Sequence, residues 1–303
     1  MTIDPILAAL RAEPAAVASA DLLAMPIEEA RAAQIARWAP WNAAPPPVAL
    51  LEDCAIARGH GSPLRCLRIV PNQVAGGRIV FLHGGGWTFG SIETHRDMAI
   101  RLAIAAQAET LSIEYRLAPE HPFPAPLDDV LAAIASVSGD GPFALAGDSA
   151  GASLALSAML RLRDIGEKLP NGAALFYGCF TPDFKRPSFA EFGDGAYGLS
   201  LARMRQFWEN YLGHEPDAAE DIATPGWADL TGLPPILLHA AGLDVLRDDS
   251  TALAARLAEA GVDATFEIAP GAVHGYLQMA VRLPIARAAL IAAGTFLRAR
   301  LDA

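Results

Sequence analysis

Phe143-Ala144-Leu145-Ala146-Gly147-Asp148-Ser149-Ala150-Gly151 is the stretch that decides the fold. Its first five residues read as a buried strand, and the run from Ala150 to Arg163 carries a helical pattern. Between them sits Gly-x-Ser-x-Gly, and a turn that tight needs small residues two positions either side of the serine. The Ser149 hydroxyl is thereby held clear of its own backbone, at the positive end of the following helix. The competing reading is a plain glycine-rich turn, so the rest of the chain must supply a base, an acid and donors for a developing negative charge.

Outward from this point the sequence alternates short β-rich runs with helical ones. Residues 48–57 and 62–70, separated by turn-like Arg58-Gly59-His60-Gly61, read as a strand pair, and 78–84 as a buried strand ending in glycines. A helix over 94–107, a strand over 110–116 and a helix over 126–136 precede the central stretch. Strands near 173–178, 234–242 and 264–270 follow it, with helices over 249–260 and after His274. Eight strands alternating with helices imply an α/β fold, a mostly parallel sheet covered by helices. Residues 1–45 are helical before any strand. Residues 183–220 break the rhythm with a Gly- and Phe-rich loop and a helix whose Leu201, Met204, Trp208 and Tyr211 form one apolar stripe. The expected division is a catalytic domain of residues 46–182 and 221–303, with a helical cap built from 1–45 and the 183–220 insertion.

A second motif, His83-Gly84-Gly85-Gly86-Trp87, follows the strand at 78–82 directly. Acyl transfer builds charge on a carbonyl oxygen, and backbone N–H groups of a glycine loop reach it without side-chain obstruction. The amides of Gly84, Gly85 and Ala150 are the expected oxyanion donors, with the His83 side chain bracing the loop. No phosphate-loop pattern is present. Among seven histidines, His274 follows a strand by a short loop and precedes Gly275, which brings it to the same sheet edge as Ser149. His239 lies inside an apolar strand and reads as a core histidine. Asp244 ends that same strand and is the expected acid, whereas Asp248 and Asp249 read as caps of the next helix. The chain order Ser149, Asp244, His274 is that of an α/β hydrolase. Arg116 and Glu120 are expected to pair within a loop stiffened by Pro119, Pro122, Pro124 and Pro126.

Taken together, His83-Gly84-Gly85-Gly86, Tyr115-Arg116-Leu117-Ala118-Pro119-Glu120 and Gly147-Asp148-Ser149-Ala150-Gly151 resemble the bacterial hormone-sensitive lipase family of esterases, from about Ile79 to the C-terminus. The resemblance implies an α/β-hydrolase fold with a helical cap and cofactor-free hydrolysis of short- to medium-chain acyl esters. It places the triad on Ser149, Asp244 and His274 and the oxyanion amides on Gly84, Gly85 and Ala150. Ala152 stands where many members carry glycine, and Tyr177-Gly178 where Tyr-Pro is common; both departures bear on substrate fit.

Composition narrows the partners. The 303 residues are 52% hydrophobic and carry a net charge of -11, which disfavours nucleic acid and anionic membranes. Cys54, Cys66 and Cys179 form neither a disulfide framework nor a zinc pattern, and no leader or membrane span is evident. The expectation is a cytoplasmic enzyme acting on a small-molecule ester, with a homodimer admitted and no metal or cofactor. Trp38, Trp41, Trp87, Phe207, Trp208 and Tyr211 are the candidate lining of an acyl or alcohol pocket; for each, burial of the cap is the plainer role. Amide, lactone or carbamate hydrolysis uses the same triad, and a non-catalytic receptor of this fold is the other class weighed.

Overall fold

The computed structural model describes residues 2–13, 22, 25–59, 61–139, 141–215 and 222–302. Among them are the strands β1 (Leu50–Ile56), β2 (Leu64–Val70), β3 (Arg78–Leu82), β4 (Glu109–Ile113), β5 (Phe143–Asp148), β6 (Ala173–Phe176), β7 (Ile236–Leu243) and β8 (Ala264–Val273). They form one eight-stranded sheet in the order β1-β2-β4-β3-β5-β6-β7-β8. β2 runs antiparallel to both neighbours, and from β4 to β8 every pairing is parallel.

The central strands are apolar and buried along their whole length, as a sheet covered on both faces requires. The cover comes from α3 (Ile92–Ala106), α4 (Ala125–Ser138), α5 (Ala150–Asp164), α8 (Arg247–Glu259) and α9 (Pro284–Leu301). Local sequence starts α3 firmly. The Ser91 hydroxyl accepts from Thr94 N–H and the Thr94 hydroxyl accepts from Ser91 N–H, a reciprocal cap of two otherwise orphaned donors. β6 is shorter than the sequence suggests, because Tyr177 turns to φ 36° immediately after it.

Outside the alternation lie α1 (Pro5–Arg11) and α2 (Ile27–Trp38) before the sheet, and α6 (Pro187–Phe192) and α7 (Leu201–Leu212) between β6 and β7. Most of 14–24 and all of 216–220, parts of the expected cap, lie outside the described residues. The two segments touch: the Arg11 guanidinium donates to Ala196 O at 2.9 Å. They also grip the loop after β3. Arg31 of α2 donates to Thr88 O (3.0 Å), Gln34 accepts from Gly90 N–H (2.9 Å), and Asn210 of α7 donates to Thr88 Oγ1 (3.3 Å).

Two expected pairings are corrected. Arg116 does not bind Glu120; it clasps Asp129 on α4 at 2.9 Å, a fully buried carboxylate that Arg58 also reaches. A buried charge needs cationic partners more than an exposed glutamate does, so Glu120 is left to Arg31. Asp248 and Asp249 do not cap α8, which already begins at Arg247. Asp249 instead accepts from the N–H groups of Phe180 and Thr181 and the Thr181 hydroxyl, and Asp248 from Ser188 N–H. They anchor the chain as it leaves β6 for the insertion.

Candidate active site

At the C-terminal end of β5, Ser149 stands at φ 52°, ψ −120°, a region L-residues rarely enter. Sterics explain its glycines. A Cβ on Gly147 would lie 2.5 Å from the backbone of Gly151, and one on Gly151 would lie 2.0 Å from Leu82 O. The strained turn is held by Ser149 N–H donating to Phe176 O at 2.8 Å and by the first turn of α5, where Ala152 N–H donates to Ser149 O.

Two further strand ends converge here. Asp244 directly follows β7, and its carboxylate is fixed by Leu246 N–H donating to Oδ1 at 3.0 Å. His274 follows β8. Its Nδ1 lies 2.7 Å from Asp244 Oδ2 and its Nε2 lies 3.0 Å from Ser149 Oγ. With the carboxylate on Nδ1, that nitrogen carries the proton and Nε2 presents a lone pair to the hydroxyl. The Tyr177 ring meets the imidazole edge-on at 5.0 Å. The three groups thus form a continuous hydrogen-bonded chain from a buried carboxylate to the hydroxyl of a serine residue that keeps 7% exposure.

The glycine loop closes the other side, with one correction. Gly84 N–H, expected to face an oxyanion, donates at 2.8 Å to Asp148 Oδ1. A donor already spent on a carboxylate cannot be the preorganised donor the chemistry needs. The amides of Gly85, Gly86 and Ala150 have no acceptor among the described residues. Gly85 (φ 126°) and Gly86 (φ 61°) take conformations open to glycine, and a Cβ on Gly85 would strike Phe89 O at 2.3 Å. His83 is wholly buried, stacked on Tyr115 at 4.2 Å, with Nδ1 2.9 Å from Gly84 O. Burial, and then the charge of His95, hold its imidazole down to about 3, so it stays neutral as a brace. His239 is also buried, and desolvation lowers it to about 4.

The aromatic candidates divide. Trp87, Trp208 and Tyr211 have no solvent exposure. Trp87 stacks on Tyr211 at 4.1 Å and meets Trp208 at 4.6 Å. The apolar stripe of α7 therefore seats the helix on the loop after β3 instead of lining an open pocket. Trp38 and Trp41 are half-buried, with Trp41 beneath the Arg282 guanidinium at 5.7 Å. Phe207 alone of the six lies against the glycine loop and keeps some exposure: a Cβ on Gly86 would fall 2.2 Å from its ring. Sequence reasoning missed Asp148, whose place inside the Gly-x-Ser-x-Gly motif was the available signal.

Comparison with known proteins agrees with this fold. A family model described as an α/β-hydrolase fold matches residues 79–278. An acetyl-hydrolase of Streptomyces hygroscopicus is 37% identical over 236 residues, covering 75% of this chain and 77% of its own. The ester hydrolase EH1AB1 from the metagenome of Lake Arreo, solved with a bipyridine phosphonate derivative, superposes with a TM-score of 0.91 at 33% identity over 100% of both chains. A solved esterase from the bacterial hormone-sensitive lipase family gives a TM-score of 0.86 at 31% identity, over 99% of this chain and 100% of that one.

Proposed function

We propose, from the premise that the chain belongs to the bacterial hormone-sensitive lipase family of α/β hydrolases, that Ser149 attacks ester carbonyls with His274 as base and Asp244 as its orienting carboxylate. The chain is a carboxylic ester hydrolase, and the observation that carries this mechanism is the Asp244–His274–Ser149 hydrogen-bond chain at 2.7 and 3.0 Å.

In the first half-reaction Ser149 Oγ bonds to the carbonyl carbon while its proton passes to His274 Nε2. The carbonyl oxygen becomes an oxyanion facing the amides of Gly85, Gly86 and Ala150. His274 then returns the proton to the departing alcohol oxygen as the C–O bond breaks, leaving Ser149 acylated. Water repeats the sequence on the acyl-enzyme, releasing a carboxylic acid. Asp244 stays ionised throughout and stabilises the imidazolium.

Short- to medium-chain acyl esters are the proposed substrates, since the Phe207 ring bounds the space beside the glycine loop. The acetyl-hydrolase name of the Streptomyces relative agrees. The helices before the sheet, with α6 and α7, act as a cap in this reading. A homodimer joined along β8 is the proposed assembly, because this outer strand exposes Ile268 (39%) beyond the point where Asp4 pairs with Gly271. A cytoplasmic location fits the free thiols of Cys54, Cys66 and Cys179. No helix among the described residues is long and apolar enough to cross a membrane.

The test is a series of p-nitrophenyl esters from acetate to decanoate, beside amide and lactone substrates, with Ser149→Ala as control. Turnover confined to the shorter esters and abolished by Ser149→Ala is expected. Faster turnover of amides or lactones than of any ester overturns the substrate assignment.

A further inference from the structure

The hydrolysis scheme leaves a buried charge unused. Asp148, the residue before the nucleophile, is 2% exposed, and a carboxylate removed from water is destabilising unless partners replace the water. Its partners belong to separate elements. Gly84 N–H donates to Oδ1 at 2.8 Å from the glycine loop, and the Tyr177 hydroxyl donates to Oδ2 at 3.4 Å from the turn after β6. His95 Nε2, on α3, lies 3.4 Å from Oδ1. Burial alone would raise this carboxyl, but the adjacent His95 and the Gly84 N–H hold it below its ordinary value.

His95 extends the link. The Thr94 hydroxyl donates to Ser91 O at 3.0 Å, so it accepts from His95 Nδ1 at 2.8 Å, and this fixes the ring with Nε2 turned inward. There Nε2 also meets the Gln278 side-chain amide at 2.8 Å. Gln278 belongs to the short helical turn Tyr276–Met279 that follows His274. One buried cluster thus touches the glycine loop, the serine elbow and the histidine turn. The fit leaves no slack: a Cβ on Gly84 would sit 2.6 Å from Asp148 Oδ2.

We propose that Asp148 and His95 are positioning residues for ester hydrolysis, locking the glycine loop, the nucleophile and the turn after His274 into one register. The proposal rests on the esterase reading of the same site. By taking the Gly84 N–H, Asp148 sets which amides of the loop remain for the oxyanion; through Gln278, His95 ties the histidine turn to the same anchor. Displacements of about 1 Å in such a site cost on the order of a hundredfold in rate. Because oxyanion contacts act on the transition state, the loss falls on kcat and spares KM.

The experiment measures kcat and KM for p-nitrophenyl butyrate in Asp148→Asn, His95→Gln and Gln278→Ala. Active sites are counted by the p-nitrophenol released from a p-nitrophenyl phosphonate. Expected are losses in kcat per titrated site of roughly 10- to 100-fold for the first two and roughly 3- to 10-fold for Gln278→Ala, with KM within about twofold. A merely structural role lowers the number of titratable sites and leaves kcat per site unchanged, which overturns the proposal; so do losses confined to KM. If the Asp148 and His95 substitutions prevent folding, Gln278→Ala, at the least buried of the three residues with 9% exposure, decides alone. A wild-type protein that turns over no ester overturns the esterase reading and this proposal with it. An active wild type with unchanged variants overturns only the proposal.

Discussion

Arg31 and Glu120 meet fork to fork, Nη1 to Oε1 and Nη2 to Oε2, both at 2.8 Å. The same guanidinium donates to Thr88 O and Ala118 O at 3.0 Å. The carboxylate is 42% exposed, so the ion pair itself contributes at most about 1 kcal/mol. The carbonyl contacts, which join the loop that carries Gly84 to Gly86 (Thr88) to the segment after β4 (Ala118), matter more. Glu120→Gln is expected to change stability by less than about 0.5 kcal/mol, whereas Arg31→Ala costs about 1–2 kcal/mol. Urea midpoints at constant m-value separate the two.

Asp244→Asn keeps the shape of the acid but lets its amide N–H face His274 Nδ1, which favours the wrong tautomer. Loss of kcat on the order of 10⁴-fold with little change in KM is expected from steady-state kinetics. A loss below about tenfold indicates that this carboxylate is not the orienting group.

The aromatic residues on α7 separate packing from specificity. Phe207→Ala opens space beside Gly86 and shifts the optimum p-nitrophenyl ester to longer acyl chains. Trp208→Ala leaves a cavity in the Trp87–Tyr211 cluster, costing about 3–5 kcal/mol with an unchanged chain-length profile. Profiles measured alongside thermal unfolding decide both.

The sequence led to the meeting of Ser149, Asp244 and His274 because each sits where a parallel strand ends, and chain order plus strand order brings those ends together. It also carried the elbow, whose glycines are demanded by backbone collisions local to the motif. It did not show which glycine amide is already taken, because Asp148 competes for Gly84 from 64 residues away. Arg116 found Asp129 and not Glu120 for a related reason: burial decides which carboxylate most needs a cation, and burial is a property of the folded sheet. The stripe of Met204, Trp208 and Tyr211 correctly signalled a buried helix face, yet periodicity cannot tell a face that packs from one that lines a pocket. Asp248 and Asp249 looked like caps because their spacing is right, but the segment they hold enters from the insertion.

Two buried histidines predict acid sensitivity. His83 and His239 titrate at about 3 and about 4 when folded, against an ordinary value of about 6.5. Below 6.5 the unfolded chain binds more protons than the folded one, so stability falls as pH drops from 6.5 toward these values. By pH 5 the loss is about 2 kcal/mol for each histidine relative to pH 7. Urea midpoints at the two pH values measure it, and His239→Gln removes about half of this contribution. A pH response unchanged in that variant contradicts the assignment.

The most direct measurement is mass spectrometry of the protein after inactivation by a p-nitrophenyl phosphonate, with peptide mapping of the adduct and ester hydrolysis followed in parallel. One adduct per chain on Ser149, formed in step with loss of activity and absent in an inactive Ser149→Ala variant, is the predicted result. An adduct on another residue, or ester hydrolysis that survives Ser149→Ala, contradicts the account.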